Sequence, residues 1–99
     1  MLMDINQLVD VVAHVYQVSS WEMTSAGRSR HMAEARAITA LIGMDDCDYL
    51  LSNFAHYFNR DMPSMSKRVK AIRARLVKDP SMHEKMEHIK NQITTIRKA

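Results

Sequence analysis

Residues 60–69, RDMPSMSKRV, decide how this chain folds, because they mark a tight corner followed by the start of a helix. Asp61 is a favoured N-cap, since its carboxylate accepts a hydrogen bond from a backbone amide one turn later. Pro63 then falls in the first turn, where its missing N–H leaves no helical hydrogen bond unmade. These residues predict a helix that begins at about Met62 and follows a shorter helix, residues 49–58, across a short turn.

The helix that begins there combines an apolar stripe with a basic surface. On a helical wheel the stripe consists of Met65, Val69, Ile72 and Leu76. Residues 60–78 contain seven Lys or Arg and one acid, a net charge of +6, whereas residues 1–24 contain three acids and no Lys or Arg. This asymmetry indicates a surface that faces an anion. An ordinary solvated helix face is the alternative, and the corner before the helix favours the anion-binding interpretation.

Composition is that of one compact domain. The 99 residues are 46% hydrophobic and carry a formal net charge of +3, which suits a modest single core. There is no signal peptide and no apolar run of membrane-spanning length, so we expect a cytoplasmic protein that does not enter a membrane. The single cysteine, Cys47, excludes an internal disulfide framework and a Cys-rich zinc site. We expect no cofactor.

The remaining sequence predicts an all-α fold of about six helices. Two glycines, two prolines and almost no alternating β-branched pattern argue against strands. Asp4 is expected to cap a first helix that runs to about Tyr16, and Ser19 and Glu22 have the spacing of a capping box for a short second helix. Gly43 is the expected C-terminal stop of the third. Beyond the first two, helices are expected at residues 31–42, 49–58 and 62–78, and from residue 80 or 81 onward.

Apolar side chains at helical spacing supply the expected core. Trp21 is interpreted as a core anchor rather than as a platform for stacking bases. The helix at residues 49–58 offers Leu50, Phe54, Tyr57 and Phe58. The last helix carries Met82, Met86, Ile89, Ile93 and Ile96. This last stripe is expected to close the core, with a surface for a protein partner or a second copy as the alternative.

This order of helices resembles the C-terminal DNA-binding domain of DnaA, the bacterial chromosomal replication initiator, with its Trp-repressor-like helix-turn-helix. It also resembles the DnaA-like tail of REP-associated tyrosine transposases. The likeness covers about residues 4–76 and rests on the Arg60-Asp61 corner, the Arg28-Ser29-Arg30 loop and the spacing between them. It implies a DnaA domain IV-like fold. Residues 1–99 would then be a single helical DNA-binding domain, with a DnaA-like core at 1–78 and a C-terminal helix at 79–99.

The resemblance also implies which side chains meet DNA bases. Asp61, Ser64 and Lys67 would face the bases of the major groove. Lys67 would donate to guanine, and Asp61 would accept from cytosine. The apolar surface of Met62 or Pro63 would touch a thymine methyl group.

Other positions are assigned to the DNA backbone and the minor groove. Arg60, Arg68 and Arg36 would contact phosphates, which set the register of the protein on the duplex. Arg28, and with it Arg30, matches an arginine that enters the minor groove in the family. The full set of predicted contacts is Arg28, Arg30, Arg36, Arg60, Asp61, Met62, Pro63, Ser64, Lys67 and Arg68.

The corner departs from the initiator pattern. Met62 and Pro63 stand where the family has His and Ser/Thr, and Lys67-Arg68 replaces His-Ala. We therefore expect a target other than the usual initiator box, and the motif looks more like the transposase-tail version. The sequence has no Gly-rich Lys-Ser/Thr loop and no His-hydrophobic-His pair beside a candidate nucleophile. We therefore expect a bacterial, nucleoid-associated binding module that is not an enzyme.

Alternative chemistry has little support in the sequence. His83 and His88 flank two acids, but their spacing is neither H-E-x-x-H nor H-x-x-E-H, so no metal site is predicted. Cys47 has no evident His partner. The favoured hypothesis is sequence-specific binding of double-stranded DNA, in replication initiation, transposition or regulation. The alternative is a protein-interaction or dimerisation module that binds nucleic acid only non-specifically.

Overall fold

The computed structural model describes residues 3–25 and 29–98, and over these ranges the regular structure is entirely helical. The six helices are α1 (Ile5–Tyr16), α2 (Ser20–Thr24), α3 (Arg30–Asp46), α4 (Leu51–Tyr57), α5 (Met62–Lys78) and α6 (Pro80–Lys98). The predicted all-α class and the number of helices are confirmed. The arrangement agrees with the DnaA domain IV-like fold that the resemblance implies. No helix in the described ranges is both long and apolar enough to cross a bilayer.

The third helix lies at the centre of the domain. It packs against α1, α2, α4 and α5, and α6 closes the opposite side against α1 and α5. Small residues such as Ala35 and Ala40 are fully buried in α3, which lets neighbouring helices come close. The stripes predicted for the last two long helices also point inward. Their buried members are Met65, Val69 and Ile72 in α5, and Met82, Met86, Ile89 and Ile93 in α6.

Helix starts follow the predicted capping chemistry. Asp4 and Gln7 form a reciprocal capping box at α1, and Ser19 and Glu22 form a second one at α2. At α5 the Asp61 carboxylate accepts a hydrogen bond of 3.0 Å from the backbone amide of Ser64. Each cap satisfies amide groups that the first turn of a helix leaves without an intrahelical partner. The starts of these helices are therefore fixed by a few local side chains.

The predicted stop at Gly43 is wrong. The third helix continues through Gly43 to Asp46, and the chain reverses at Asp48, whose φ of 61° lies in the left-handed region. Asp tolerates that conformation better than most residues. Gly43 is instead required by packing, because a Cβ built on it would lie 2.1 Å from Cζ of Phe54. The ring of α4 thus rests directly on the backbone of α3.

Three predicted core residues are exposed. Trp21 is 72% exposed, because the five-residue helix α2 turns Met23 rather than the indole into the core. Leu50 is 68% exposed, because α4 begins at Leu51 and leaves the preceding residue as its N-cap. In α6, Ile96 is also 43% exposed, although the rest of its stripe closes the core as expected.

Replacing Gly43 with alanine should destabilise the domain by roughly 2 kcal/mol or more, because the added methyl group overlaps the Phe54 ring in a close-packed core. Urea unfolding followed by circular dichroism measures the change. Phe54→Leu is the matched second change, since it removes the ring atoms that clash. Phe54→Leu should cost less in the Gly43→Ala background than in the wild type. Additive costs would contradict the proposed contact.

Candidate nucleic-acid interface

The corner between α4 and α5 is tightly built. Asn59 adopts a left-handed conformation with φ of 53°, which Asn accommodates readily. The backbone amide of Arg60 then donates a 2.8 Å hydrogen bond to the carbonyl of Ala55. Its guanidinium donates 3.0 Å to the carbonyl of Ser25, which ties the corner to the end of α2. Arg60 is half-buried, so this predicted phosphate contact also has a structural task.

The first turns of α5 rise from this corner into solvent. Met62 is 43% exposed, and Pro63, Ser64, Lys67 and Arg68 are exposed as well. The hydrogen bond from the Ser64 amide lowers the pKa of the Asp61 carboxyl, because it stabilises the charged form. The structure therefore brings the base-facing residues predicted from the sequence together on one exposed surface.

Positive charge is concentrated in the first half of α5. In the second half, Arg73 makes two hydrogen bonds of 2.8 and 3.0 Å to Asp45. Arg75 lies 2.6 Å from Glu34 and 3.6 Å from Asp79. Within the described ranges, no ion pair involves Lys67 or Arg68. The charge counted along the sequence is thus partly neutralised by folding. In the described ranges Lys67, Arg68 and Lys70 remain without an acidic partner in the first half of the helix, and Lys78 in its last turn.

A groove runs between α3 and α5 next to that surface. We call it the α3–α5 groove; it has a volume of about 250 Å³ and is lined by Arg30, Ala33, Glu34, Ala37, Arg68, Ala71, Ile72 and Arg75. The α3 face of the groove begins at Arg30, and the α5 face begins at Arg68. Alanines form much of the floor, so the groove is open between its charged side chains. Arg30 is exposed at the first position of α3, where an external anion can reach it.

Arg36 has a different environment from the one predicted. It is only 3% exposed, and its guanidinium donates to the carbonyls of Met23 at 2.7 Å and Ser25 at 3.0 Å. Burial lowers its pKa, and the nearby charges of Arg60 and Arg68 lower it further. A phosphate would have to displace these carbonyls to bind its inner donors. Arg36 is thus a structural tether of α2, and its predicted role as a phosphate contact stays a prediction.

Three arginines nonetheless meet behind the start of α5. A small pocket of about 40 Å³ is lined by Ala33, Arg36, Arg60, Ser64, Met65 and Arg68. Like charges raise the electrostatic potential of a shared cleft, which favours an anion at its mouth. Of the remaining predicted contacts, Arg28 lies outside the described residues.

Glu34 joins four helices through a network that sequence analysis missed. Its carboxylate accepts hydrogen bonds of 2.6 Å each from the Tyr16 hydroxyl and Arg75, and Lys85 lies 3.4 Å away. The Lys85 ammonium also lies 4.6 Å from the centre of the Tyr16 ring. Burial and the bond to Glu34 raise the pKa of Tyr16. Burial alone would raise the pKa of Glu34, but its hydrogen bonds and the neighbouring cations outweigh that effect and lower it.

Residues considered for other chemistry do not assemble. In the described ranges no group of three or more His, Cys, Asp or Glu side chains is arranged to hold a metal ion. His83 and His88 are exposed on α6, and Cys47 is buried in the core.

The fold and the candidate site thus define a class of protein. It is a compact helical domain in which a basic helix follows a capped corner. No family model matches the chain. The chain is similar to the chromosomal replication initiator protein DnaA of Wolinella succinogenes, with 27% identity over 90 residues. The aligned region covers 90% of this chain and 21% of that protein, so the chain spans about a fifth of the relative's length. This similarity supports a DnaA-like domain.

Replacing Arg36 with leucine should lower the free energy of unfolding by roughly 2–4 kcal/mol, because buried carbonyls at the end of α2 lose their donors. Arg68→Leu is the matched control, since Arg68 is exposed and should cost only about 0.5 kcal/mol or less. Urea unfolding of both variants makes the comparison. Equal costs would contradict the tether role of Arg36.

Protonation of Glu34 should make the domain less stable at acidic pH. Its folded-state pKa lies below its ordinary value of 4.5, so its stabilisation is present above about pH 4.5 and is lost as the pH falls through the folded-state pKa. Glu34→Gln should therefore be less stable than the wild type at pH 7, with a difference that shrinks towards pH 3. Urea unfolding across this range measures it. Asp45 is present in both proteins, so its own titration cancels, and a constant difference would contradict the assignment.

Proposed function

We propose that this domain binds double-stranded DNA sequence-specifically, with α4 and α5 acting as a helix-turn-helix. The start of α5 would enter the major groove, and α4 would support it from behind. One observation carries the proposal: two exposed cations, Lys67 and Arg68, lie close to a rigid capped corner and take part in no ion pair of the described ranges, while the later arginines are paired with acids. That is the distribution a helix needs when its N-terminal end meets DNA.

Base recognition is assigned to side chains of the first turns. Lys67 is suited to donate to guanine O6 or N7, and Ser64 can donate to or accept from either neighbour. Asp61 has two oxygens, so one can cap the helix while the other accepts from cytosine N4. The exposed surface of Met62 and Pro63 is suited to a thymine methyl group.

Backbone contacts are assigned to the arginines around the corner. Arg60 and Arg68 would bind phosphates on one side of α5, and Arg30 would extend the contact along the α3–α5 groove. Arg28 is proposed for the minor groove on the resemblance alone, where it would favour A·T-rich flanks. Arg36 supports this surface from below. Several phosphates neutralised at once would make binding fall steeply with salt.

The similarity to DnaA supports a targeting role. The relative is named as a chromosomal replication initiator, and we extend to this chain only the delivery of a protein to a DNA site. We propose that the domain carries out no reaction itself and acts in the bacterial cytoplasm at the nucleoid. The altered residues at 62, 63 and 67 favour a target other than the initiator box, as expected for the transposase-tail version.

Selection of bound duplexes from a random library tests this function. The wild type should enrich a defined motif, and Lys67→Ala should lose preference at about one base pair, weakening binding there by roughly 1–3 kcal/mol. Lys78→Ala is the matched control, because it removes the same charge from the last turn of the same helix. Arg28→Ala should reduce the preference for A·T base pairs beside the motif.

Two outcomes would contradict the proposal. If no motif is enriched and binding disappears at moderate salt, the domain does not discriminate sequence. A role in protein interaction or dimerisation, with only non-specific affinity for nucleic acid, would then be the better hypothesis. If Lys78→Ala changes the motif as much as Lys67→Ala does, the start of α5 is not the part of the helix that contacts the bases.

A further inference from the structure

At the far end of the α3–α5 groove, Arg75 already has an acidic partner. Arg68 and Arg75 both line the groove from the same face of α5, two helical turns apart. Arg68 has no ion pair within the described part of the chain, whereas Arg75 is bonded to Glu34 at 2.6 Å. By charge and helical spacing alone, Arg68 and Arg75 would be equally suited to contact the DNA backbone. The two arginines differ because Arg75 is bound by a carboxylate of α3, that of Glu34.

Glu34 is well suited to hold that arginine. Its side chain is only 15% exposed, and the Tyr16 hydroxyl fixes one oxygen while Arg75 binds the other. A carboxylate oriented in this way gives a charge-assisted hydrogen bond with the geometry that a phosphate oxygen would use. Asp79 lies 3.6 Å from the same guanidinium and adds a second, more exposed acid. A DNA phosphate would therefore have to displace a partner that is already positioned.

We propose that Glu34 acts as an internal substitute for a DNA phosphate, keeping Arg75 off the DNA backbone and ending the backbone contact of α5 at Arg68. Glu34 is then a positioning residue that limits how strongly the domain binds DNA of any sequence. This inference rests on the proposed function, because it presumes that α5 meets a duplex. Phosphate contacts carry no sequence information, so the limit applies equally to target and non-target DNA.

The Asp45–Arg73 pair provides an internal comparison. Both of its side chains are substantially exposed, Arg73 at 46% and Asp45 at 38%, and Arg73 is absent from the α3–α5 groove. Releasing Arg73 therefore adds a cation at a position that the groove does not use. Asp45→Asn removes one acid, as Glu34→Gln does, and separates a local effect at Arg75 from a general change in net charge.

The test measures duplex affinity by fluorescence anisotropy at several salt concentrations, for the selected target and for a scrambled duplex. Glu34→Gln should bind both duplexes more tightly at low salt and leave the ratio of the two affinities unchanged. The slope of log affinity against log salt should steepen by about 0.9, so that about 3.5-fold more affinity is lost between about 50 and 200 mM salt. Asp45→Asn should leave the slope at the wild-type value.

Arg75→Gln identifies the cation that is released. This change breaks the same contact as Glu34→Gln, so a purely structural effect would appear in both variants. In the wild-type background Arg75→Gln should leave the slope unchanged, and in the Glu34→Gln background it should cancel the increase. Circular dichroism and urea unfolding establish that all variants are folded over the range of salt used.

Several results would overturn the inference. A shallower slope for Arg75→Gln alone would mean that Arg75 already contacts DNA. If the steeper slope persists when Glu34→Gln and Arg75→Gln are combined, the released cation would be Lys85, which also pairs with Glu34. If the wild type prefers no duplex, sequence-specific function fails, while the slopes on the scrambled duplex still decide the role of Glu34. A wild type that binds neither duplex at low salt would overturn both.

Discussion

The close packing of α3 is the constraint on which the rest of the domain depends. At Gly43 the Phe54 ring of α4 rests on the α3 backbone, and the fully buried Ala35 and Ala40 take up little space on a helix that also packs against α1 and α5. Such close contacts contribute much dispersion energy, and they leave few alternative positions for the helices that make them. The same helix supplies Arg36, which tethers α2, and Glu34, which holds the far half of α5. The geometry of the candidate interface is therefore set from α3.

Much of the fold could be predicted because its signals are local. Caps at Asp4 and Asp61 involve side chains and amides within one turn, so they are readable in a short window of sequence. Gly43 and Trp21 were misjudged because their roles depend on what approaches them in space. A glycine near a helix end commonly marks a stop, and only the arrival of the Phe54 ring gives this one a different role. An indole is usually buried, but a helix of five residues can turn only a few side chains inward.

The candidate site, like the fold, could be predicted from the sequence only in part. Exposure of Ser64, Lys67 and Arg68 follows from the helical period and the position of the corner, and the structure agrees. The ion pairs do not follow, because Asp45 and Arg73 are 28 residues apart and Glu34 and Arg75 are 41 residues apart. Which acid meets which arginine is decided by how α3 crosses α5. Charge counted along a sequence therefore overstates the charge that a folded surface presents to a ligand.

The packing of α6 also has a consequence for how the domain is made. Its buried residues, from Met82 to Ile93, lie against α1 and α5, so the beginning and the end of the described chain share one core. During synthesis α5 emerges before α6, and at that stage its apolar stripe lacks part of its final cover. Contacts between segments distant in sequence form late, because a large loop must close first. The nascent chain therefore carries the basic helix with its α6-facing side uncovered, and this interval ends only when the last helix docks.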